Sequence, residues 1–211
     1  MEGTGLLGRT TRHAIPPITQ FASPELINAI VYEGHPPGED DNWPTSGAAD
    51  RATYAYWAPR VCGMACLRMA LYARDGHAPT LHELLAGCLA HGGYVRNEDG
   101  SVDGLIYRPF TAYVAAEHAL PAEVVTELGP GRLVAELDLG RLVIASVHCE
   151  IRRPERPAPG RGGHLVLVTG HRDGMVEFRN PSGHRPEAVD ATLPLDVFDT
   201  FAAHRGVVLH V

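Results

Sequence analysis

The chain has 211 residues, 45% of them hydrophobic, which is enough for one domain with a sizeable core and marginal for two. Its formal net charge is −7 and it has no run of five basic residues, which excludes a nucleic-acid footprint. All 18 basic residues are Arg, and the absence of Lys excludes Schiff-base and P-loop lysine chemistry.

Residues 1–13 are rich in Gly, Thr and Arg and are expected to be poorly ordered. Ile15 to Phe21 alternates and predicts a short strand, confined to an edge by Pro16 and Pro17. Ser23 followed by Pro24 predicts a short helix over 23–30 with Ser23 as its N-cap. Residues 33–52 are rich in Gly, Pro, Asp and Glu, lack periodicity, and predict a long inserted loop, a candidate lid. Over 62–74, Met64, Leu67, Met69, Ala70 and Leu71 form a broad apolar face, as in a mostly buried helix. Thr80 and Glu83 spell a capping box for a helix ending near His91, before Gly92-Gly93. A third substantial helix is predicted over 105–119 and a short one over 131–138. The pattern then changes to β-branched apolar runs at 141–148, 164–169, 175–178 and 206–211, separated by Gly, Pro and Asp. Helices first and strands last predict an α+β fold with an antiparallel sheet. The chain carries no internal repeat, and 1–211 reads as a single domain.

Cys62-Gly63 opens the helix predicted over 62–74. A thiol in a first helical turn meets unpaired N–H groups and the positive end of the helix dipole, which favour a thiolate. A Cys nucleophile needs a His base and an orienting partner. His164 begins one strand of a predicted hairpin and Asn180 ends the other, so the two can be neighbours across an antiparallel pair. His171, in the hairpin turn, is a competing base. Cys66 and Cys88 read as core residues, and Cys149 as core or edge. Cys62 and Cys66 at i,i+4 could face a zinc ion, but no His has a matching spacing, and neither a metal nor a cofactor is expected. No CxxC is present, and no apolar run is long enough for a signal peptide or a membrane span. Free thiols in a soluble, reducing, cytoplasmic setting are expected, with no nucleic-acid or membrane partner.

With Cys62-Gly63-x-Ala65-x-Leu67-x-Met69, Gly163-His164-Leu165-Val166-Leu167-Val168-Thr169-Gly170 and Asn180-Pro181-Ser182-Gly183, the chain resembles the papain-like cysteine peptidases of the C39-like group. The motifs cover about a quarter of the chain, in the family's order. The resemblance implies a helical N-terminal half carrying the Cys and an antiparallel C-terminal sheet carrying His and Asp or Asn. It implies Cys62 as nucleophile, His164 as base and Asn180 as the residue that orients the base. The family usually places an oxyanion-hole Gln several residues before the Cys. Here no Gln lies between 20 and 62, so the resemblance assigns that role to Gln20, after the Pro-containing strand; without it the Cys62 N–H and a Trp57 or Tyr56 donor must suffice. Trp57 and Gly163 are expected at the substrate.

The activity so implied is acyl transfer through a thioacyl-enzyme, with hydrolysis of a peptide bond as the leading outcome. Amide-bond formation by the same residues is an alternative, and a 33–52 lid would favour it by excluding water. Another is an inactive, peptide-binding module. The partner expected is a peptide or an acyl-carrier-type substrate; the oligomeric state is open. The negative total charge favours a neutral or basic substrate, although steering is set by the cleft.

Overall fold

Six strands form one antiparallel sheet in the computed structural model, which describes residues 14–211. They are β1 (Ala122–Val125), β2 (Leu142–Val147), β3 (His164–Arg172), β4 (Met175–Arg179), β5 (Asp190–Pro194) and β6 (Ala202–Leu209), in the order β1-β6-β2-β3-β4-β5. The helices are α1 (Ile27–Tyr32), α2 (Arg51–Trp57), α3 (Cys62–Asp75), α4 (Leu81–Ala90), α5 (Tyr107–His118), α6 (Pro130–Asp138), α7 (Pro186–Val189) and α8 (Leu195–Phe201). The fold is the α+β mixture read from the sequence, with the Cys on a helix of the N-terminal half. The expectation for residues 1–13 lies outside the described residues.

Every residue of β2 is buried, because helices cover both sheet faces. Leu142, Ile144, Leu165, Leu167, Val207 and Leu209 join the core of α3, α4 and α5. Val143, Ala145, Val147, Val166, Val168 and Phe178 join a second core with residues of α6 and α8. A strand buried on both faces loses its polar alternation, so β2 reads as one apolar run. Each fully buried Val or Leu there contributes about 1.5–3 kcal/mol of transfer free energy. β3 and β4 form a hairpin whose two-residue turn, Asp173-Gly174, has positive φ at both positions (51° and 77°), the geometry that matches strand twist.

Four local expectations are corrected. Residues 15–21 form no strand; Pro16 and Pro17 donate no N–H, and the stretch is tied at its end by Gln20 N–H donating to the Pro181 carbonyl (2.8 Å). Ser23 precedes a short 3-10 turn and α1 but caps neither, because its hydroxyl donates to Asp40 (2.7 Å). Residues 33–52 are held by two 3-10 turns, Pro37–Glu39 and Trp43–Ser46, around fully buried Asp40. Asp40 accepts from Ser23 N–H and Oγ–H, Asn42 N–H and Tyr54 O–H, all within 2.9 Å. β6 begins at Ala202, four residues before the apolar run, because His204 takes a positive φ of 51° and lets the chain re-enter the sheet.

Candidate active site

α3 has no side-chain cap at Val61, so the N–H groups of its first turn stay free for the thiol of Cys62, its first residue. The N–H groups of Gly63 and Leu165 both lie against that thiol, which puts Cys62 beside the start of β3. Gly63 makes this approach possible. A Cβ there would sit 2.8 Å from the Leu105 side chain and 3.2 Å from that of Leu165, too close for either to stay in place.

Gly162 and Gly163 precede β3 with φ of 81° and 93°, a conformation that favours glycine, and turn the chain so that His164 starts the strand. The His164 ring is buried, with Nε2 2.9 Å from Asn180 Oδ1 and 3.0 Å from Ser182 Oγ. Asn180 Oδ1 also accepts the Ser182 N–H (3.1 Å), which identifies that end of the amide as the oxygen. Nε2 therefore carries the imidazole proton, and Nδ1 keeps its lone pair. The Asn180 backbone is fixed by its N–H donating to the Val189 carbonyl (2.8 Å). Arg152 Nε donates to Ser182 Oγ (2.9 Å), so a guanidinium stands behind the ring.

Cys62, Gly163 and His164 line one cavity of about 280 Å³, with Leu165, Leu105 and Tyr107 among its other walls. Gln20 is buried outside that lining; its Nε2 donates to the Ala58 carbonyl (2.7 Å), four residues before Cys62, and its Oε1 has no partner among the described residues. Trp57, expected at the substrate, instead packs in the core edge-to-face against Tyr56 and Tyr94. His171 pairs with Asp138 (2.8 Å) and is not part of the cavity wall. Cys66 and Cys88 are buried and Cys149 half-buried, all with free thiols. No residue of 33–52 lines the cavity; the overhanging segment is Val102 to Leu105.

Sequence reading missed Ser182 and Arg152. Ser182 stood inside the quoted Asn-Pro-Ser-Gly motif and could have been singled out there. Arg152 carries no signal, since only folding brings it beside Ser182.

Burial pushes the Cys62 thiol above the ordinary range, against the pull of the Leu165, Gly63 and Cys62 N–H groups and of Arg152. Burial also pushes His164 down to about 3, helped by Arg152 and opposed by the Asn180 hydrogen bond. Against the expected thiolate, a helix N-terminus is worth about 0.3–1 kcal/mol, and desolvating an ion costs several. Both shifts favour the uncharged forms of the pair. Alkylation of Cys62 by iodoacetamide is therefore expected to climb with pH through the alkaline range, with no plateau between pH 5 and 8. A plateau in that window, in rates followed at the Cys62 peptide, would show an ion pair formed in advance.

No protein-family model matches the chain, nor does any curated protein. Five solved chains do, two of which follow. One is described as a C39-like peptidase from Bacillus anthracis: TM-score 0.51, 14% identity, covering 72% of this chain and 89% of that one. The other is the peptidase domain of Streptococcus ComA, a bi-functional ABC transporter involved in a quorum-sensing pathway: TM-score 0.50, 15% identity, covering 72% and 91%. This chain has the C39-like peptidase fold. Within that fold the Cys-bearing helix packs against the sheet strand that starts at His164. Among the described residues no helix is long and apolar enough to cross a membrane.

Proposed function

We propose that this chain is a cysteine-dependent acyl-transfer enzyme that cleaves an amide, with peptide-bond hydrolysis as its reaction. The observation that carries the reading is the His164 ring: Nε2 is committed to Asn180, Nδ1 keeps its lone pair, and His164 shares a cavity with the Cys62 thiol. Cys62 Sγ attacks the carbonyl as its proton passes to His164 Nδ1, forming the S–C bond. The imidazolium returns that proton to the departing amine as the C–N bond breaks. Water, deprotonated by His164, then releases the acid and restores the thiol. Asn180 and Ser182 hold the ring in the tautomer this needs.

Gln20 lies outside the cavity lining and its Nε2 spends one of two hydrogens on the Ala58 carbonyl; its proposed role at the oxyanion beside the Cys62 N–H rests on the second. Gln20→Ala is expected to slow acylation of Cys62 by about 10²–10³-fold. The measure is the nitrophenolate burst from a nitrophenyl ester, with Cys62→Ala as blank. An unchanged burst rate would leave the oxyanion to the Cys62 N–H alone.

A further inference from the structure

The charge lining the cleft is opposite in sign to that of the chain. Arg60 and Arg205 both line the cavity that holds Cys62 and His164, and Arg152 stands behind His164. Among the described residues none of the three has a carboxylate partner, whereas Arg132 and Arg141 bracket Glu136, and Arg179 pairs with Asp190. The cavity's acidic residue, Asp103, sits on the rim and accepts from Asn97 Nδ2 (3.3 Å).

Arg60 is held in place, and Arg205 reaches the cleft from the surface. Arg60 donates to the Tyr56 carbonyl and lies 4.5 Å over the Tyr56 ring, whose environment also includes Arg96 at 4.2 Å from its centroid. Arg205 is exposed, and its guanidinium and the Ser146 hydroxyl both lie against the Tyr107 hydroxyl. Cations around a concave reactive site, with no protein anion to neutralise them, form a receptor for an anion.

We propose that the cleft selects an acyl donor with a carboxylate close to the scissile carbonyl, an acidic residue of a peptide, bound by Arg205 and Arg60. This rests on the acyl-transfer reading of Cys62 and reverses the preference expected from total charge. The shape of the site agrees with it. Cys62, Gly163, Leu165 and Arg205 line the same cavity, so a side chain bound beside the thiol shares that space with the guanidinium.

The test uses the thiol itself as reporter. Cys62 is modified with anionic sulfonatoethyl methanethiosulfonate or with cationic trimethylammonioethyl methanethiosulfonate. Rates are read at the Cys62 peptide by mass and divided by those of a small free thiol. The anionic reagent is expected to gain roughly tenfold over the cationic one, the low end of what a charged cleft does to association. The gain should shrink as salt rises, because Arg205 is exposed. Arg205→Gln with Arg60→Gln is expected to bring the ratio near one, while Arg205→Lys, which keeps the charge, retains most of it. A wild-type ratio at or below one, or a ratio the double variant leaves unmoved, would overturn the proposal. That failure is separable from failure of the acyl-transfer reading, which falls only if Cys62→Ala or His164→Ala leaves the nitrophenyl-ester burst intact. Among peptide amides, those with Asp or Glu beside the scissile bond should be cleaved faster than their Asn, Gln or Lys counterparts.

Discussion

His164→Ala is expected to slow acylation of Cys62 by about 10²–10⁴-fold, the range of a positioned general base. The effect is large because Cys62 has no alternative route to a thiolate. Burial holds its pKa above the ordinary thiol range. The base must take the proton in the same step that forms the S–C bond. In the variant the rate should rise with pH as the free thiol ionises, and free imidazole should restore part of it, since the 280 Å³ cavity opens where the ring was removed. Both are measured on the nitrophenyl-ester burst. A variant with the wild-type rate would overturn the acyl-transfer reading, since His171 is held at Asp138 and does not line the cavity. Asn180→Ala should cost less, because Ser182 Oγ still meets Nε2 at 3.0 Å.

The second large effect is on stability. Asp40→Ala is expected to cost about 3–5 kcal/mol, because it leaves buried donors from Ser23 and Tyr54, and the Asn42 N–H, without their acceptor. For a chain of this size that is a fall of roughly 10 °C in Tm. Burial alone would raise the Asp40 pKa, but the hydrogen bonds from Ser23, Tyr54 and Asn42 outweigh it and hold the carboxyl below its ordinary value. The unfolded chain therefore takes up this proton at a higher pH than the folded one. The carboxylate's contribution is full above the ordinary carboxyl range and is lost as pH falls below about 4. Melting curves of wild type and Asp40→Ala should thus converge in acid. A gap that stays constant from pH 7 to pH 3 would mean that Asp40 stabilises by packing alone.

Those parts of the fold that rest on local chemistry were legible in the sequence. Thr80 and Glu83 form their capping box, and β3 and β4 turn at Asp173-Gly174. The meeting of His164 with Asn180 was legible too, because antiparallel register converts positions in a hairpin into proximity. What stayed hidden depends on partners distant in sequence. Arg152 reaches Ser182 thirty residues away, and nothing near Arg152 marks it. Ser23 looks like an N-cap until Asp40 takes its hydroxyl. Trp57 precedes the Cys and suggests a platform for substrate, but its neighbours Tyr56 and Tyr94 enclose it. The surroundings of Cys62 were half visible for a related reason. The helix dipole is visible in the sequence, while desolvation is a property of everything folded around the thiol.

The order of strands sets when the site comes into being. β6, from residues 202–209, lies between β1 and β2, and β2 in turn carries β3 with His164 at its head. A ribosome delivers α3 and Cys62 some hundred residues before His164, and the strand that flanks β2 on its other side later still. Over that interval the nascent chain holds a thiol with neither its base nor its pocket. On the proposed acyl-transfer reading, competence for chemistry is thus a late property of synthesis, acquired with closure of the sheet, and an incomplete chain carries the sulfur in an unarmed form.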